Sequence, residues 1–110
     1  MASTRDDIRK FPLEVRQEIG FALYAAQRGG KALNAVPLSG FGGAGVLEVI
    51  SDFDGDTYRA VYTVRFETAV YVLHAFKKKA HRGIATPRKE MDLVRIRYKQ
   101  AERDYLENNK

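Results

Sequence analysis

The chain has 110 residues, 45% of them hydrophobic and 30% charged, with no cysteine and a net charge of +5. That length favours a single domain, residues 1–110, around one hydrophobic core, and the lack of cysteine excludes disulfides and thiolate metal sites. No apolar run approaches the roughly 20 residues that span a bilayer, and the opening Met-Ala-Ser-Thr-Arg-Asp-Asp lacks the basic and apolar regions of a signal peptide. A cytoplasmic protein without a membrane partner is therefore expected. The charge is unevenly spread: residues 1–75 hold 8 Lys/Arg and 9 Asp/Glu, a net of −1, whereas residues 76–110 hold 11 and 5, a net of +6. Such asymmetry points to an anionic partner, most often nucleic acid.

In chain order, a short helical turn is expected around Thr4–Lys10. Pro12 suits the first turn of a helix, after which Val15, Ile19, Ala22 and Ala26 recur at helical spacing with Leu23 beside them. Gly29-Gly30 reads as the C-cap. Residues 31–45 are Gly-rich and read as a loop with a short strand near Val36-Pro37-Leu38. No Lys-Ser/Thr follows the glycines, so this is not a phosphate-cradling loop. Strands are expected at Val46–Phe53, Thr57–Phe66 and Ala69–Lys78, joined by the hairpin signal Asp54-Gly55 and by Glu67-Thr68. Connections this short require antiparallel pairing. A basic loop, Lys79–Ala85, leads to Thr86-Pro87 as N-cap and first-turn proline. A last helix then runs to about Glu107 with Met91, Val94, Tyr98, Ala101 and Tyr105 on one face. The order is that of a small α+β domain: N-terminal helix, antiparallel meander of three to four strands, C-terminal helix. One sheet face should be covered by helix and the other left open to a ligand.

Side chains alternate across a strand, so parity assigns the faces. Tyr58, Ala60, Tyr62, Val64 and Phe66 form an apolar face; Arg59, Val61, Thr63 and Arg65 form the other. A two-residue turn at Glu67-Thr68 pairs Ala60 with Ala75, Tyr62 with Leu73 and Val64 with Tyr71 on the core side. It pairs Arg59 with Phe76 and Val61 with His74 on the open side, with Lys78 just beyond. Leu47, Val49 and Ser51 fall on the core side; Glu48, Ile50 and Asp52 join Arg59.

Arg59, His74 and Lys78 thus share a face, with Phe76 between them, and the strand ends in Lys77-Lys78-Lys79 followed by His81 and Arg82. Guanidinium, ammonium and imidazole on one rim suit a phosphate backbone. The plainer alternatives are an Arg59 bridge to Glu48 or Asp52, a structural His74, and a solvated strand end.

Taken together, Gly-Val-Leu-Glu-Val (45–49), Asp-Gly-Asp-Thr-Tyr-Arg-Ala-Val-Tyr-Thr (54–63), Val-Tyr-Val-Leu-His-Ala-Phe-Lys-Lys-Lys (70–79) and Gly-Ile-Ala-Thr-Pro (83–87) resemble the HigB-like, phage-derived branch of the RelE/ParE toxin superfamily. The resemblance covers roughly Leu38 to Tyr105. It implies a RelE-like domain, a cognate helix-turn-helix antitoxin, no cofactor and no metal. It further implies the toxin of a type II toxin–antitoxin system that cuts mRNA on the ribosome by attack of the ribose 2′-hydroxyl on its own phosphate. ParE relatives instead poison gyrase, so a non-enzymatic gyrase inhibitor or a phage regulatory binding protein is the alternative. Carried over by position, Arg59 is the arginine of the Tyr-Arg-x-x-Tyr strand, and Lys77, Lys78, Lys79 and Arg82 are the basic segment. The chain lacks the catalytic tyrosine of a final strand, so His74 and His81 are the candidates for proton transfer, with Arg59 and Arg82 as the catalytic cations and Phe76 as the base-stacking ring.

Overall fold

A computed structural model of the chain describes residues 2–38, 40–41, 45–64, 66, 70–79 and 86–108. The elements run α1 (Ala2–Arg9), α2 (Leu13–Gln27), β1 (Ala35–Pro37), β2 (Val46–Phe53), β3 (Asp56–Thr63), β4 (Tyr71–Lys79) and α3 (Arg88–Asn108). The strands form one antiparallel sheet in the order β1-β2-β3-β4. The architecture is the expected α+β meander between helices, with α1 formed as a full helix and the short strand one residue earlier than its predicted place. Among the described residues no helix is long and apolar enough to cross a membrane.

Local chemistry explains the boundaries. Pro12 stands at the N-cap of α2 rather than inside its first turn. At the other end Gly29 takes φ +83° while its N–H bonds Ala26 O at 3.1 Å and that of Gly30 bonds Ala25 O at 2.7 Å, a Schellman closure that a residue with Cβ resists. Between β2 and β3, Asp54 (φ 53°) and Gly55 (φ 84°) make the two-residue turn with positive φ at both positions, whose twist matches the flanking strands. It pins the β2–β3 register, with Leu47 opposite Tyr62, Val49 opposite Ala60 and Ile50 opposite Arg59, as parity predicts.

Two cores result. Helices α1 and α2 cover one sheet face: Val15, Ile19, Ala22 and Ala26 pack on Val49, Tyr58, Ala60, Tyr62 and Ala75. The second face is not open. Helix α3 lies on it, with Val94 and Ala101 against Val46, Val61, Phe66 and Leu73. The Phe66 ring stacks on Tyr105 (centroids 4.8 Å apart) and meets Tyr71 edge-on at 5.6 Å.

The β3–β4 register follows the predicted pairing from Asp56–Lys79 to Val61–His74, then slips at a bulge between Val61 and Tyr62, so that Tyr62 faces Val72 and Thr63 faces Tyr71. The extra residue is Leu73. This corrects the expected Tyr62–Leu73 and Val64–Tyr71 pairs: Leu73 and Tyr71 belong to the α3 side. The turn predicted at Glu67-Thr68 lies outside the described residues. β3 ends at Thr63 rather than Phe66 and β4 begins at Tyr71 rather than Ala69.

A Cβ added at Gly55 would meet nothing within 4 Å, so a substitution there is opposed by the backbone alone. Gly55→Val is expected to cost about 1–2 kcal/mol, measured as a lower urea midpoint with an unchanged slope.

Candidate functional site

The α3-facing side of the sheet brings together Arg59, His74, Phe76 and Lys78, all on the face that parity assigns them. Burial changes what they can do. Arg59 is only 4% exposed, and its Nη1 donates to Glu48 Oε1 at 3.3 Å. The Thr86 hydroxyl, just before α3, donates to the other Glu48 oxygen at 3.0 Å. Thr86 is therefore a ligand of the sheet's carboxylate, and α3 begins two residues later. Glu48 answers a cation from β3 and a hydroxyl from the α3 entry at once.

His74 is buried among three elements. Arg97 Nη1 lies 2.9 Å from His74 Nδ1, and Glu90 Oε1 lies 2.8 Å from Nε2. An arginine only donates, so Nδ1 accepts and Nε2 carries the hydrogen given to Glu90. Both ring nitrogens are thus engaged, and Phe76, also buried, stacks on the imidazole at 5.3 Å. The ring expected to stack a base is packed inside. Arg97 Nη1 further donates to Leu73 O at 3.1 Å and Thr4 Oγ1 at 3.3 Å, while Thr4 donates to the same carbonyl at 3.3 Å. The carbonyl of the bulged residue is therefore held by side chains from α1 and α3.

The lysines divide between the faces. Lys77 stands opposite Tyr58 on the α2 side and donates to Asp56 Oδ2 at 3.1 Å, half-exposed. That hydrogen bond and the Asp56 charge hold its ammonium above the ordinary lysine value. Lys78, opposite Thr57, lies on the Glu48 side. Lys79 is the last residue of β4. His81 and Arg82 lie outside the described residues. Thr86 reaches Glu48 and Glu90 reaches His74, so the first turn of α3, with exposed Arg88 and Lys89, lies on the same face as Lys78. Those two cations were legible only as part of the basic last third.

Among the described residues, no cluster of His, Asp and Glu has the arrangement of a metal site. A cavity of about 760 Å3 lies between α2, the segment before β1 and the end of β2; its charged lining among the described residues is Glu14, Glu18 and Asp52, which repels phosphate. The cationic end of β4 is better suited to an anion than this cavity is.

Burial raises the Glu48 carboxyl above its ordinary value of 4.5, against the opposing pull of Arg59, the Thr86 hydroxyl and Lys78. In the pH range just above 4.5 the folded state then holds a proton that the unfolded chain has released. This group therefore favours folding below that range, and its contribution falls as pH rises through it. Urea denaturation across that range should show the decline, and the double variant Glu48→Leu/Arg59→Met should lack it. Glu48→Leu alone, which strands the Arg59 guanidinium, should cost about 3–5 kcal/mol, with much of it restored in the double variant.

A sequence profile of the phage-derived Gp49-like proteins (DUF891) matches residues 6–99. No curated protein and no solved structure matches the chain. The matched span runs from α1 through Arg97 and Lys99 of α3, and so takes in both core clusters' sheet and every partner of Glu48 and His74 named above. The chain belongs to the phage-derived Gp49-like family, a family of RelE/HigB-like toxins.

Proposed function

We propose that the chain is the toxin of a type II toxin–antitoxin pair and a ribosome-dependent mRNA endonuclease. The observation that carries this reading is that Lys78, at the end of β4, lies on the Glu48 side, where the entry to α3 also meets Glu48 through Thr86 and exposed Arg88 and Lys89 follow in the next turn. Such a rim can hold a phosphodiester while its neighbouring 2′-hydroxyl attacks, because fixed cations stabilise the charge that gathers on phosphorus. The 2′-hydroxyl restricts this chemistry to RNA. His81 and Arg82 follow Lys79 one residue further on, after Ala80, and complete the set, with His81 as the group that moves a proton and Arg82 as a cation on the phosphate. Arg59 and His74 act from beneath, as positioning residues: the Glu48–Arg59 and Glu90–His74–Arg97 contacts fix α3 against β4 and hence the rim. Membership of a toxin family implies an antitoxin as partner, and an acidic antitoxin segment over the rim would neutralise it. The protein acts in the cytoplasm, where ribosomes and mRNA are.

One observation favours a second reading. Both nitrogens of His74 are committed inside the protein, which leaves the described residues without an exposed imidazole beside the lysines. A gyrase inhibitor or a phage regulatory binding protein needs the cations but no proton transfer.

A reconstituted translation reaction with a defined mRNA separates the two. The wild-type chain should cut the message, leaving a cyclic phosphate and a 5′-hydroxyl. Arrested synthesis with intact mRNA, together with blocked supercoiling by purified gyrase, would reverse the ranking. Lys77→Gln/Lys78→Gln should lower cleavage by about tenfold or more at unchanged thermal stability. Arg59→Ala should lower activity and stability together, because its guanidinium is interior.

A further inference from the structure

Helix α2 separates two cavities of opposite character. One flank, with Glu14, Glu18 and Phe21, borders the acidic cavity. The other flank, with Arg16 and Leu23, borders a cavity of about 380 Å3 that is closed by Arg5, Ile8 and Arg9 of α1 and by Val70 next to β4. Among the described residues, every charged group lining this second cavity is a guanidinium. Little of that charge is used internally. Arg9 reaches Asp6 only at 3.9 Å, with both side chains well exposed. Arg16 gives its Nε–H to the Phe11 carbonyl at 3.1 Å, and Arg5 has no ion-pair partner among the described residues. The floor is different: Ile8, Leu23 and Val70 are half-buried against the α1–α2 core. β4 rises by about 3.3 Å per residue, so its lysines lie on the order of 20 Å away at the strand's far end.

We infer that this cavity is a docking groove for a segment of a partner protein that presents aliphatic side chains beside Asp or Glu. The guanidinium forks match carboxylates in a bidentate geometry, and the aliphatic floor is filled by Leu, Ile or Val. The two features together select against nucleic acid: a phosphodiester chain would satisfy the arginines but would bring nothing to cover Ile8, Leu23 and Val70. The partner's identity as the antitoxin rests on the toxin reading above; the chemistry of the groove does not. The groove gives such a partner a second hold, remote from the basic rim, and two linked contacts bind far more tightly than either alone.

The test is fluorescence anisotropy with the full chain and short labelled probes: a Leu/Glu peptide, a Ser/Glu peptide of equal charge, and a single-stranded RNA of equal charge. The Leu/Glu peptide should bind the wild type about tenfold or more tightly than the Ser/Glu peptide. Arg5→Gln/Arg9→Gln should lose about tenfold of that affinity, and Arg16→Gln part of it. Lys99→Gln/Arg103→Gln, which removes the same charge from exposed positions of α3, should retain it. Circular dichroism checks that each variant is folded. Equal affinity for the two peptides, equal loss in the two double variants, or displacement of the Leu/Glu peptide by the RNA with loss in Arg5→Gln/Arg9→Gln would each overturn the proposal. None of these measurements reads translation or supercoiling, so the groove and the toxin reading fail independently.

Discussion

The C-terminal helix rests on a sheet face that carries charge, and the fold depends on how that charge is answered. Arg59, Glu48 and His74 would each cost several kcal/mol if buried without partners. Here Glu48 takes Arg59 and Thr86, while His74 spans Glu90 and Arg97. Glu90 and Arg97 are two helical turns apart on α3, with Val94 between them packing into the apolar cluster. The polar contacts set the position of the helix along the sheet, and Val94, Ala101 and the Phe66–Tyr105 stack supply the burial. Polar pairs are directional where apolar packing is not, so this face has one good alignment of α3 and few near alternatives.

Much of this architecture was legible because local chemistry and global pattern agree over most of the chain. The Asp54-Gly55 turn dictated the β2–β3 register without reference to the rest of the fold. Gly29-Gly30 ended α2, and alternation in β3 separated Tyr58, Ala60 and Tyr62 from Arg59, Val61 and Thr63. The bulge at Leu73 was not legible. Neither Gly nor Pro marks it, and its cause is tertiary: a carbonyl claimed by Thr4 and Arg97 from opposite layers. The covered second face was missed for a related reason. Charged positions on a strand and on a helix each read as solvent-facing when taken alone, and only together do partly buried Glu90 and Arg97 help enclose Arg59 and His74.

The same reasoning bounds what was readable of the candidate site. The run Lys77–Lys79 is plain in sequence, yet the strand's pleat sends Lys77 towards Asp56 and Tyr58 and Lys78 to the other face. The run thus divides between the two faces, and α3 adds exposed Arg88 and Lys89 on the face of Lys78. Parity placed Arg59, His74 and Phe76 on one face correctly but could not tell an exposed face from a covered one, since alternation is the same in both. The electrostatic layout is also more local than the net charge suggests: α2 alone divides an acid-lined cavity from an arginine-lined one.

The bulged carbonyl of Leu73 also bears on how the chain folds. Its partners lie 69 residues earlier and 24 residues later, so one backbone atom on an edge strand ties together both ends of the sequence. Contacts of such separation close late, after the entropy of the intervening loops has been spent. Neither the first helix nor the last can detach without stripping that carbonyl of a donor, which links their opening. The two terminal helices, the segments of a small domain most given to fraying, are thereby enrolled in the same cooperative unit as the sheet.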